Sequence, residues 1–194
     1  MSASRYLNAR GYVLDILKAI DGTKLYYHNM KHTLFVHDAA KKICEAEGIK
    51  GRKRELILVA ALFHDTGYLV RYDKNEPFGA MICETALAGM GYTAEEIRFT
   101  KRLILATSMP QRPKNRYEQI LCDADLATLG SSRYFSQAEA LRRELGVSGN
   151  EWKSREISFL KGHKYFTSGA TDIYGPTKEK NIRRLEILAA KGNA

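Results

Sequence analysis

The chain has 194 residues, 44% of them apolar and 27% charged, which suits one globular domain with a real hydrophobic core and argues against disorder. A formal net charge of +9 and a pI near 9.4 fit anionic partners (phosphorylated small molecules, nucleic acid, an acidic membrane surface), and they fit an ordinary solvated basic surface equally. The longest apolar stretch, around residues 56–63, is far too short to cross a bilayer. The opening Met-Ser-Ala-Ser-Arg-Tyr has no signal-like apolar region, and Cys44, Cys83 and Cys122 are scattered in apolar surroundings without a CxxC pair. These features predict reduced core cysteines in a cytoplasmic protein that does not engage membranes.

Helical periodicity runs through almost the whole sequence. An amphipathic helix is expected over about 4–20, stopped by Asp21-Gly22, and a longer one over about 27–47, stopped by Gly48. A basic turn, Lys50-Gly51-Arg52-Lys53-Arg54, leads into a helix over about 54–66 that has no polar face for two turns and so belongs at the centre of the fold. Further helices are expected at about 78–90, 94–107, 116–129, 132–145, 150–166 and 177–190, with Gly89, Gly91, Gly130, Gly146, Gly149 and Gly175-Pro176 as punctuation. Loops at 68–77 and 108–115 separate them. No alternating strand pattern or internal repeat is seen, so the predicted architecture is an all-α helical bundle with side chains projecting inward from facing helices.

The central helix ends in His64-Asp65, directly after the apolar run Leu56-Ile-Leu-Val-Ala-Ala-Leu-Phe63. Burying an unpaired charge costs several kcal/mol, so this pair needs a partner, and a divalent metal is the least costly one for a His/Asp cluster. His28 and His32, read as i and i+4 of one helix, would share a face. His37-Asp38 is a look-alike: His37 is turned about 140° from His32 and is expected to face solvent. Downstream, Leu121, Asp125 and Leu129 fall on one stripe, whereas Asp123 points about 160° away from Asp125. Asp125 is therefore the ligand candidate and Asp123 a supporting residue behind it. In the Pro-flanked loop 108–115, Arg112 and Lys114 are candidates for gripping a phosphate. His163, on a late helix, stays outside the ligand set.

The ordered set Tyr27-His28-Asn29-x-x-His32-Thr33, Ala61-Leu62-Phe63-His64-Asp65-Thr66-Gly67-Tyr68 and Asp123-Ala124-Asp125-Leu126 resembles the HD superfamily of metal-dependent phosphohydrolases, over a core of about residues 26–130. The segment Glu151-Trp152 through His163-x-Tyr165-Phe166-Thr167 is similar to the tail of uncharacterised predicted HD phosphohydrolases. The resemblance implies one HD-type helical domain over 1–194, with C-terminal helices over about 131–194. It implies His32, His64, Asp65 and Asp125 as metal ligands, Asp65 also as the carboxylate that can bridge to a second ion, and His28 as general acid. Asn29, Glu76 and Asp123 would support the centre. The chain departs from the binuclear branches in having no histidine between Asp65 and Asp125. It carries Asn75-Glu76 where many relatives have His-Glu, which speaks against a di-iron oxygenase. One tightly held ion, or a second loosely held one with Glu76 orienting a water, fits this pattern.

The implied chemistry is metal-assisted hydrolysis of a phosphomonoester or phosphodiester of a nucleotide or other small phosphorylated molecule. The His/Asp set suits manganese, iron, zinc or magnesium without choosing among them. Two other readings stand beside it. One is a regulatory protein that keeps the fold and binds ligand without turnover; the other is a nucleic-acid-binding protein, disfavoured because the basic residues are scattered and no finger or RNA-binding motif is present. Substrate, nuclearity and oligomeric state are not encoded in any motif of the chain.

Overall fold

The computed structural model describes residues 2–18 and 25–191. Among these the chain forms α1 (Ser2–Lys18), α2 (Met30–Ala46), α3 (Gly51–Phe63), α4 (Glu76–Gly89), α5 (Ala94–Ala106), α6 (Arg116–Asp125), α7 (Tyr134–Leu145), α8 (Gly149–Gly162) and α9 (Ser168–Lys191), with short 3-10 turns at Thr66–Leu69 and Ala127–Gly130 and no strand. The all-α architecture is the expected one. The stop expected at Asp21-Gly22 lies outside the described residues.

α3 holds the centre. Every residue from Leu56 to Phe63 is buried, and the helix packs against α1, α2, α4, α5 and α6. A helix apolar on all sides has no solvent face to keep, which is why it is surrounded. The basic stretch Lys50–Arg54 is the first turn of this helix rather than a free turn. Arg52 instead pairs with Glu55 and Glu96. The following helices carry local start signals: Thr93 and Glu96 form a reciprocal capping box on α5, and the Asn115 side chain caps α6 by accepting from Tyr117 N and Glu118 N. All three cysteines are buried free thiols. Among the described residues no helix is long and apolar enough to cross a membrane.

Two expectations fail for physical reasons. α2 begins at Met30, so Tyr27 and His28 precede it. Asn29 ends the extended segment by accepting at its side chain from Lys31 N at 2.9 Å and His32 N at 3.4 Å, a strong N-cap that the apolar periodicity masks. Gly175-Pro176 does not break the last helix, which runs from Ser168 to Lys191 with Pro176 inside it. The carbonyl deprived of its donor belongs to Asp172, which is exposed and open to water. Tertiary contacts hold both sides of the proline. Tyr174 lies so close to the 127–130 turn that a Cβ on Gly130 would stand 2.2 Å from its carbonyl oxygen, and the Asn181 side chain donates to Leu129 O and Ser131 O.

Candidate metal centre

Three elements bring four side chains together: the first turn of α2 supplies His32, the turn after α3 supplies His64 and Asp65, and the last residue of α6 supplies Asp125. His32 Nε2 and His64 Nε2 are 3.4 Å apart. Asp65 Oδ2 lies 3.3 Å from the first and 3.1 Å from the second. Asp125 Oδ1 is 3.5 Å from both. Donors each about 2.1 Å from a shared centre stand about 3.4 Å apart when tetrahedral and about 3.0 Å apart when octahedral. The observed spacings fall across that interval. His64 Nδ1 donates to Ala61 O at 2.8 Å, which turns Nε2 toward the cluster. Asp65 Oδ2 and His32 Nδ1 are buried and make no hydrogen bond. A buried carboxylate oxygen needs a cation beside it, and here either the protonated rings at 3.1–3.3 Å or a metal ion in their place meets that need. The donor chemistry and the spacing therefore fit a divalent ion held by His32, His64 and Asp125, with Asp65 Oδ2 beside both rings as a further candidate ligand.

The electrostatics agree. Burial opposes a charge on His64, but Asp65 and Asp125 outweigh it and raise its pKa well above the usual imidazole value; His32 is raised for the same reasons. Burial likewise opposes ionisation of Asp65 and Asp125, yet the two imidazoles hold both carboxyls below the ordinary range, Asp65 well below it. The centre thus keeps its carboxylates ionised and carries protons on the rings that an ion would displace.

His28 stands beside this cluster with its ring centroid 5.8 Å from that of His32. Its face stacks on Tyr68 at 4.2 Å, and its Nε2 meets the Tyr68 hydroxyl at 3.1 Å. The other ring nitrogen, Nδ1, makes a short contact with Glu144 Oε1. Glu144, on α7, also accepts from Tyr27 N at 2.7 Å, His28 N at 3.1 Å and Tyr72 Oη at 3.0 Å. Burial opposes its ionisation, but these bonds, led by that from His28, lower its pKa. Nothing in the local sequence around Arg143-Glu144-Leu145 announces this residue, which is 116 positions from its partner; only the packing of α7 reveals it.

Other candidates fall differently. His37 is buried rather than solvent-facing, 2.6 Å from the Tyr6 hydroxyl and 3.1 Å from Asp38, because α1 covers that face of α2. Asp123 does not stand behind the centre. Its carboxylate accepts from Phe166 N, Thr167 N and Thr167 Oγ1 at 2.6–2.8 Å, tying α6 to the segment before α9, and burial raises its pKa despite those bonds. Asn29 acts through the cap that fixes His32. Glu76 lines the same cavity as Asp65 and has a buried Oε2 with no hydrogen bond. In the loop after α5, exposure alternates: Gln111 and Pro113 are half-buried, Arg112 and Lys114 exposed, as expected of an extended segment. It is Gln111 that reaches the centre, with Nε2 3.1 Å from Asp125 Oδ2. Arg112 lies instead in a shallow surface pocket with Ser108 and Pro110.

Asp65, Asp125 and His28 open onto a cavity of about 610 Å³. Its cations are Lys74, held at φ 53° in the loop before α4, and Arg155 of α8. Five carboxylates, those of Asp65, Asp73, Glu76, Asp125 and Glu156, face the same space. The positive charge of the chain is therefore not concentrated here, and an anion entering needs a bound cation to offset this acidic lining. No curated protein and no solved structure matches the chain. The HD domain family model matches residues 29–128, just over half of the sequence and the stretch that carries His32, His64, Asp65 and Asp125, and the chain belongs to that family.

Proposed function

We propose that the protein is a metal-dependent phosphohydrolase that cleaves a phosphomonoester or phosphodiester of a small molecule. Membership in a family of generally metal-dependent hydrolases supports this, and so does the cluster of His32, His64 and Asp125 with ligand atoms within 4.8 Å of one another. The observation that carries the reading is the convergence of two imidazoles and two carboxylates in one buried cluster, with Asp65 Oδ2 3.3 Å and 3.1 Å from the Nε2 atoms of His32 and His64. A divalent ion held there supplies Lewis acidity toward a phosphoryl group. Asp65 and Asp125 anchor the ion, and Asp65 also orients the attacking water. His28 delivers a proton to the leaving oxygen from Nε2, the atom now occupied by the Tyr68 hydroxyl, while Glu144 fixes the ring from the opposite side. Lys74 is the cation placed to receive a phosphate oxygen.

The test is metal analysis of the purified protein followed by turnover of a phosphoester and nucleotide panel with added Mn²⁺. Asp65→Ala should lose the ion and the activity. His28→Ala should keep the ion and lose about 10²- to 10⁴-fold in turnover. Metal binding with no turnover of any ester would favour the regulatory reading. Full metal content and full activity in Asp65→Ala would overturn the assignment of the centre.

A further inference from the structure

The wall of the cavity away from α2 and α3 is built by α7, α8 and the turn after α6, and its chemistry differs from that of the metal centre. Leu126, Leu129, Leu141, Trp152, Phe159 and Leu160 line it. Tyr134, Glu156 and Arg155, the polar groups on the same wall, are already paired. The Tyr134 hydroxyl donates to Glu156 Oε1 at 2.6 Å, and Arg155 donates to Glu151 at 2.5 Å. An occupant of this part gains little by offering hydrogen-bond donors or acceptors. It gains by covering apolar surface, of which Phe159 leaves 40% exposed. A ribose and base would leave their own polar atoms unmatched there, at a cost.

Resting on the phosphohydrolase reading, we propose that this wall receives the non-phosphate body of the substrate and that the body is apolar. The substrate class is then a phosphorylated aliphatic or aromatic alcohol rather than a nucleotide. The phosphate sits toward Asp65, Asp125 and Lys74, and the carbon skeleton lies between α7 and α8. A volume of about 610 Å³ is within the range that holds one small organic molecule.

Binding of alkylphosphonates tests this without any turnover, because their carbon–phosphorus bond is not hydrolysed. Calorimetric titration of the Mn²⁺-loaded protein with methyl-, butyl- and octylphosphonate, below micellar concentrations, should show affinity rising about two- to fourfold per methylene. Phe159→Asp, at an exposed position, and Leu141→Asp, at a half-buried one, should each flatten that slope; two variants guard against one that misfolds. Affinity independent of chain length, or adenosine monophosphate binding more tightly than octylphosphonate, would overturn the proposal. The two readings separate cleanly. A chain-length slope without turnover of any ester overturns hydrolysis alone, and turnover without a slope overturns the apolar body alone.

Discussion

Replacing Glu144 with glutamine keeps the side-chain volume and removes its charge. The carboxylate, 1% exposed, accepts from Tyr27 N, His28 N, Tyr72 Oη and His28 Nδ1. An amide has one acceptor oxygen. If that oxygen stays with the two backbone amides, its NH₂ faces the imidazole, so Nδ1 must accept and the ring proton moves to Nε2. The ring then shows the cavity a different tautomer, and its protonated form loses a charge-assisted partner. Such a bond contributes about 1.5–3 kcal/mol, which as a barrier is about 10- to 150-fold in rate. Glu144→Gln should therefore lower kcat by that factor on whichever phosphoester the panel identifies, with metal stoichiometry unchanged by elemental analysis. Glu144→Ala, which leaves all four donors without that acceptor, should also cost about 3–5 kcal/mol in urea unfolding. Wild-type kcat in Glu144→Gln, with wild-type stability, would show that the carboxylate does not act through His28.

Three further outcomes are expected. In Gly67→Ala the new Cβ would stand 1.9 Å from Asn75 O and 2.8 Å from Gly79 N, both backbone atoms, so α4 must shift and stability should fall by about 3 kcal/mol or more; an unchanged urea midpoint would contradict that close approach. Asn29→Ala removes the cap of α2 and should cost about 1 kcal/mol while weakening metal affinity through His32, as read by chelator competition; an effect on neither would refute the cap's role. Affinity for Mn²⁺ should increase from about pH 6 to pH 9, since the raised histidines hold protons that the ion displaces, and a flat profile would refute the pairing. In the ion-free protein the signs are opposite for the two residue types. The histidines stabilise fully below about pH 6.5 and lose that contribution as pH rises through their raised pKa values. The aspartates stabilise above about pH 3.9 and lose it as pH falls through their lowered ones.

The central helix and its terminal His64-Asp65 were legible because a run apolar on every face has only one place to go, and because the charged pair ending it needs compensation. Asp125 was legible because its stripe is shared with Leu121 and Leu129, even though α6 stops at Asp125 itself. Periodicity misplaced His28 by starting α2 about three residues too early: an N-cap is a local hydrogen-bond decision that apolar spacing does not record. It also kept a break at Pro176 that tertiary contacts override. Glu144, Gln111 and Lys74 were missed since each enters the site from a loop or helix whose own pattern is that of an ordinary solvated segment. Which of two neighbours in the 108–115 loop faces inward is decided by packing, and charge alone pointed to the wrong pair.

The buried Asp123 carboxylate bears on how far the core shared with the family is modular. It lies two positions before Asp125 in α6, and all of its hydrogen-bond donors come from Phe166 and Thr167, well beyond the 29–128 stretch that the family shares. A chain cut after residue 130 would keep every metal ligand yet leave this carboxylate without a donor in the helix that delivers one of them. Transplanting or trimming the core would thus be expected to loosen the ion by way of a residue that never touches it. The boundary of family likeness and the boundary of mechanical integrity are different lines in this protein.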